Sequence, residues 1–219
     1  MAEIVARQKP LLKSAGFRRR GNTFNRRCDE QIVHVVKFWM APHEPSAWTE
    51  VPGLRERHYG SFRIDFGIYF RGRRDFRPDP EAWVRDEWCP MRFTMGELAA
   101  LPDEERWWSL SDPRASTNSS AMLLDHGLPY LDRYQSVDDV VSAFEHLGPF
   151  PLGLSPAGGL DVADLCMSTG HRARAREILE DYVSRPVHFT HVDILVAYLI
   201  ERGHQDLVSR IIPFGAPHA

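Results

Sequence analysis

A chain of 219 residues, 43% apolar and 26% charged, has the composition of a folded globular protein, which excludes a low-complexity or disordered chain. No apolar run reaches the roughly 18–20 residues that span a bilayer, and "MAEIVARQKPLLKSAG" lacks the apolar centre of a signal peptide, so a cytoplasmic location without membrane attachment is expected. The formal net charge of −3 divides into +3 over residues 1–110 and −6 over 111–219, short of the basic excess typical of nucleic-acid-binding domains.

In chain order, "AEIVARQKPLLKSAGF" reads as a helix in which Ile4, Val5, Leu11 and Leu12 fall near one face, with Pro10 as a kink or late start. Gly16 stands where a left-handed residue closes a helix, and Phe17 where a side chain packs back onto the last turn. "NTFNRR" and "QIVHVVKFWM" read as antiparallel strands around a turn at Asp29-Glu30, and "PHEPSAWTEVPG" as a proline-rich loop. In "SFRIDFGIYF", Phe62, Ile64, Phe66, Ile68 and Phe70 alternate with Arg63, Asp65, Gly67 and Tyr69. That period of two predicts a strand with one buried and one more polar face, in an antiparallel sheet covered on one side. "RGRRDFRPDP" reads as a turn or loop, and "EWCPMRFTM" and "RWWSLS" as short strands, the first confined by Pro90 to an edge or irregular stretch.

"SDPRASTNSS" has the polarity of a linker, and "SAMLLDHGLPYLDRYQ" reads as a helix interrupted near Gly127-Leu128-Pro129. In "SVDDVVSAFEHLGP", Ser136 as N-cap and Asp139 three residues on form an Asp version of the capping box. Val137, Val140, Val141, Phe144 and Leu147 make the apolar stripe. After a second linker, "FPLGLSPAGG", the segments "TGHRARAREIL" and "RGHQDLVSRII" align at an offset of 33, His171 on His204. A helix, a glycine turn and a second helix in each unit predict stacked helical hairpins. The expected fold is α+β: an N-terminal helix, a mainly antiparallel sheet of four or five strands, and a helical C-terminal part with two helical hairpins. Residues 1–150 form the α+β domain, and residues 151–219 a helical-hairpin region packed on it.

The motifs that carry chemistry are few. Between Ile4 and Cys28 lie eight basic residues and no acid. Within that run, Arg18, Arg19 and Arg20 sit between two glycines in "GFRRRGNTF". Two readings stand side by side: the arginines meet the negative end of a helix dipole, or they present guanidinium forks to an anion or an acidic partner. No phosphate-loop Lys-Ser/Thr follows Gly21, where the sequence is Asn22-Thr23. His188 and His191 of "HFTH" are spaced for one helical turn, but Pro186 marks that stretch as a helix start, and no metal or cofactor is implied. His171 and His204 read as capping or packing residues. Cys28, Cys89 and Cys166 are far apart and form no C-x-x-C pair, and Cys89 reads as a small buried residue of the sheet. Asp138-Asp139 and Glu104-Glu105 lie on helix starts or loops, and no G-x-S-x-G or H-E-x-x-H motif occurs. Trp107 and Trp108 are adjacent, so on a strand they point to opposite faces. Either one is a partner surface or both faces are covered.

The pieces "LKSAGFRRRGNTF" (Leu12 to Phe24), "FRIDFGIYF", the cysteine and arginine of "CPMRF" and the tryptophans of "RWWSL" occur in an order that resembles the bacterial domain-of-unknown-function 4304 family over about residues 1–150. The resemblance implies an α+β fold and a soluble bacterial protein, and it carries no activity or site residues. The expected function is a non-catalytic module that binds another macromolecule, of interaction or immunity and inhibitor type. A protein partner is favoured over nucleic acid, and Arg18, Arg19, Arg20, Trp107 and Trp108 are the candidate contacts. The alternative is a protein that binds or processes a phosphate-containing small molecule or nucleotide through an arginine clamp.

Overall fold

The computed structural model describes residues 1–41, 51, 58–71, 83–102 and 106–215, which form two units, Met1–Ser155 and Pro156–Ala219. The proline-rich loop (Val51 apart), residues 72–80 of the expected turn, and Glu104-Glu105 lie outside the described residues.

In the first unit, helix α1 (Ala2–Ser14) buries Val5, Gln8 and Leu12, a stripe at i, i+3 and i+7. It ends as the Gly-Phe pair predicts. Gly16 has φ +85°, its N–H reaches the Lys13 carbonyl at 3.0 Å, and the Phe17 N–H reaches the Leu12 carbonyl at 2.9 Å. This is a Schellman closure, with Phe17 and Leu12 both buried.

The chain then enters β1 (Arg18–Arg20), β2 (Thr23–Arg27), β3 (Ile32–Met40) and β4 (Ser61–Phe70), followed by β5 (Met91–Thr94), helix α2 (Met95–Leu98) and β6 (Trp108–Ser109). All the pairings are antiparallel, in the order β1-β2-β3-β4-β5, with β6 also on β4. The sheet has six strands, the arginines themselves forming β1. Arg20 faces Thr23 across Gly21-Asn22. Gly21 takes φ +63° and Asn22 does not enter the positive region, the sign pattern of a type II′ hairpin turn. Between β2 and β3, Asp29 Oδ1 accepts the Gln31 and Ile32 N–H groups at 2.7 and 2.6 Å, which closes the turn expected there.

Register sets the two faces. Phe24, Val36, Phe66 and Phe93 form one row across the sheet, and Asn25, Val35, Gly67 and Arg92 the row beside it on the opposite face. The first face is covered by helical segments. The expected linker "SDPRASTNSS" contains most of α3 (Ala115–Met122), which continues through a π-helical turn (Leu123–Gly127) into α4 (Leu128–Leu131). Its polarity is satisfied internally: the Gln8 amide of α1 donates to the Ser116 carbonyl at 2.8 Å and to Ser119 Oγ at 3.1 Å, and Ser120 Oγ donates back to Gln8 at 2.8 Å. The interruption expected near Gly127 is the π turn, and Gly127 lies so close to Phe66 that a Cβ there would meet its ring at 2.5 Å. Helix α5 (Val137–Leu147) starts on the expected capping box of Ser136 and Asp139, but of its predicted stripe Leu147 stays exposed.

The opposite face departs from expectation. Alternation in β4 predicts a more polar side, yet from Ile64 to Phe70 both faces are buried. Val33, Val35, Tyr69, Val84 and Cys89 form a second apolar cluster with Trp88 against it. The segment at 83–89 that supplies Val84, Trp88 and Cys89 is held by reciprocal bonds between the Asn25 amide and the Val84 backbone (3.0 and 2.8 Å) and by the Lys37–Asp86 ion pair at 2.6 Å.

The second unit consists of α6 (Gly158–Ser168), α7 (Arg172–Ser184), β7 (Pro186–His188), α8 (Phe189–Glu201), a 3-10 turn (Gln205–Arg210) and β8 (Ile212–Phe214) parallel to β7. The 33-residue correspondence reappears in the turns. Gly170 and Gly203 both have positive φ, and the N–H groups of His171 and His204 bond the carbonyls of Cys166 and Leu199, so both helices end in the same Schellman geometry. The second unit of the pair differs in one respect: where the first has α7, it has only the six-residue 3-10 turn.

Candidate functional site

The site begins with a strand of three arginines at the end of the sheet. Arg18, Arg19 and Arg20 are strand residues, and the arginine that hydrogen-bonds the end of α1 is Arg26. Arg26 Nη1 donates to the Ala15 carbonyl at 3.2 Å, and its guanidinium lies 4.8 Å from the Phe17 ring centroid. The signal for this was Arg26 itself, one strand away in sequence but beside the cap once the hairpin folds.

Strand alternation divides the arginines. Arg18 and Arg20 share the face of Asn25 and Arg27, whereas Arg19 sits opposite Phe24 on the face of α1. All three are exposed. Two concavities meet at this edge. One, of about 750 Å³, is lined by Arg18, Arg20, Arg27, Arg71, Trp83 and the buried Val33 and Val84. The other, of about 570 Å³, is lined by Lys9, Lys13, Arg18, Arg19, Phe17 and Phe24. Among the described residues neither lining includes an acid, a histidine or a cysteine. Arg18, Arg20 and Arg27 have no ion-pair partner among the described residues, and Arg19 donates Nε to the Gly21 carbonyl at 2.8 Å.

The groups with nucleophilic or acid–base potential lie elsewhere. His34 is wholly buried on the helix-covered face. Its Nε2–H donates to the Tyr134 carbonyl at 2.7 Å, which leaves Nδ1 to accept from Arg26 Nη2 at 3.0 Å; Arg26 also pairs with Asp132 at 2.5 Å. Burial holds His34 neutral, lowering its pKa to about 4. Cys28 Sγ is 3.3 Å from His34 Nδ1, a pairing the sequence reading missed, although alternation from Cys28 to the neighbouring strand could have suggested it. Burial raises the thiol to about 11, so the pair is a neutral thiol beside a neutral imidazole, without the thiolate of a nucleophilic site. Cys89 is buried, with Sγ 3.6 Å from the Arg85 carbonyl.

Trp107 and Trp108 point to opposite faces as expected, and both are half-buried. Trp108 stacks on Phe62 at 5.4 Å. Trp107 stacks on His58 at 4.5 Å and lies 5.5 Å from Trp39, with the Arg63 guanidinium 4.8 and 5.2 Å from the Trp39 and Trp107 ring centroids. Both indoles are engaged by their own chain. His188 caps α8 by accepting from the Thr190 N–H, and among the described residues no group of three or more histidine, cysteine or carboxylate side chains could hold a metal. Among those residues no helix is long and apolar enough to cross a membrane.

Compared with known proteins, the chain matches no family model, no curated protein and no solved structure.

Proposed function

We propose that this chain is a non-catalytic, cytoplasmic binding protein whose basic sheet edge engages an acidic surface of a protein partner. The observation that carries the reading is the edge itself: Arg18, Arg20 and Arg27 on one face and Lys9, Lys13 and Arg19 on the other, with no acid among the described lining residues. Cations side by side with no counter-charge among the described residues repel one another, and an external anionic surface relieves that repulsion. A footprint over both faces of the edge suits an extended acidic surface better than a single small anion. The contact is assigned to the arginines and lysines, since the rings of Trp107 and Trp108 are occupied within the chain. An inhibitory or immunity role is one form this binding takes. The resemblance of about residues 1–150 to the bacterial 4304 family belongs to the same proposal and rests on the order of its motifs.

The test is affinity purification from the source cell with the wild-type chain and with Arg18→Glu/Arg20→Glu. A partner retained by the wild type, released by added salt and lost with the charge reversal is the expected result. Retention unchanged by the reversal overturns the reading.

A further inference from the structure

The larger concavity differs from its neighbour in more than size. Trp83 is among its lining residues, beside Val33 and Val84. Its rim carries Arg18, Arg20 and Arg27, all exposed and without ion-pair partners among the described residues. Arg18 and Arg20 lie two residues apart on one strand face, about 6.6 Å along the strand. Arg27 is on the neighbouring strand and the same face, since Asn25 opposite Arg18 and Arg27 two residues on share that side. The volume of about 750 Å³ is that of a small-molecule site. A tryptophan ring accepts a flat base by stacking, and guanidinium forks match phosphate oxygens bidentately, which ammonium groups do not.

We propose that this concavity is a nucleotide site, taking a nucleoside diphosphate or triphosphate with its base against Trp83 and its phosphates among Arg18, Arg20 and Arg27. The site needs no protein partner, so it holds whether or not the edge also binds an acidic protein. Because Arg18 and Arg20 serve both, a bound nucleotide competes with such a partner.

The experiment is titration calorimetry of the full chain at low ionic strength with ADP, inorganic pyrophosphate and adenosine. ADP is expected to bind at least tenfold more tightly than pyrophosphate, and adenosine far more weakly than ADP. Trp83→Ala should weaken ADP about tenfold and leave pyrophosphate unchanged, with Trp83→Phe keeping most of the ADP affinity. Arg18→Gln/Arg27→Gln should weaken ADP and pyrophosphate alike, while Lys9→Gln/Lys13→Gln, on the other face, leaves both within twofold. Equal affinity for ADP and pyrophosphate, or ADP binding that survives the arginine double variant, overturns the nucleotide site. So does an absence of ADP binding in a chain that still retains polyglutamate, and that outcome leaves the acidic-partner reading standing. Circular dichroism of each variant, matched to wild type, ties a loss of binding to the site and not to the fold.

Discussion

His34 accepts a hydrogen bond from Arg26 at Nδ1 (3.0 Å) and donates one from Nε2 to the Tyr134 carbonyl (2.7 Å). A protonated imidazole has no acceptor nitrogen, so protonation would turn Nδ1–H against the guanidinium. With burial, this keeps the ring neutral and its pKa near 4 instead of 6.5. Between those values the unfolded chain binds a proton that the folded chain refuses, so the contribution to stability is full above pH about 6.5 and is lost as pH falls toward about 4. The whole effect is roughly 3 kcal/mol. Urea unfolding at about pH 7.5 and about pH 5 should show the loss in wild type and a flatter dependence in His34→Gln. An unchanged slope in the variant would assign the acid sensitivity to other groups.

The Cys28 thiol, raised to about 11 from an ordinary 9.0 by burial, is expected to alkylate about a hundredfold more slowly at neutral pH than an unperturbed cysteine. The rate should rise with a midpoint near 11. Iodoacetamide labelling of the native chain against pH, with the site located by peptide mass, checks this. A midpoint below that of free cysteine would mean that the thiolate is stabilised instead.

Gly67 has no room for a side chain: a Cβ there would stand 2.4 Å from Cys89 Sγ and 2.7 Å from Cys89 Cβ. Gly67→Ala should therefore destabilise the chain by about 1–3 kcal/mol, the range of overpacking. Since Cβ and Sγ of Cys89 are the obstacle, Cys89→Gly should relieve the clash. A double-mutant cycle in chemical denaturation should show the two changes coupled, with the double variant more stable than the single costs added. Simple additivity would show that the strain is taken up elsewhere.

Gln8 is fully buried, with its amide N–H₂ aimed at the Ser116 carbonyl. Gln8→Glu preserves the shape and the acceptor for Ser120 but places a carboxylate oxygen against that carbonyl. The expected loss is about 1–3 kcal/mol, shrinking in acid as the carboxyl gains a proton. Thermal unfolding at neutral and acidic pH measures it, and a variant as stable as wild type at neutral pH would show that α1 and α3 can rearrange around the change.

Local chemistry made much of this molecule legible in advance. The Gly16-Phe17 closure, the Asp29 turn, the alternating strand at 61–70, the Ser136 box and the matching glycine turns at 170 and 203 depend on neighbours within a few residues. Conformational preference and hydrogen bonding act at that range, so the sequence by itself determined these features and the α+β class. Contacts between distant segments were decided only by the tertiary structure. The serine-rich stretch looked like a linker because its polarity is answered by Gln8, more than a hundred residues away. The outer face of β4 looked more polar because Arg63, Asp65, Gly67 and Tyr69 alternate with its apolar residues, and the bareness of Gly67 is what admits Cys89. The arginine run left open whether it served a helix end or a ligand. Pairing with β2 carries Arg26 to the cap and places Arg18 and Arg20 on the face of Asn25 and Arg27. A strand's side chains acquire a direction only when a partner strand fixes which face is which.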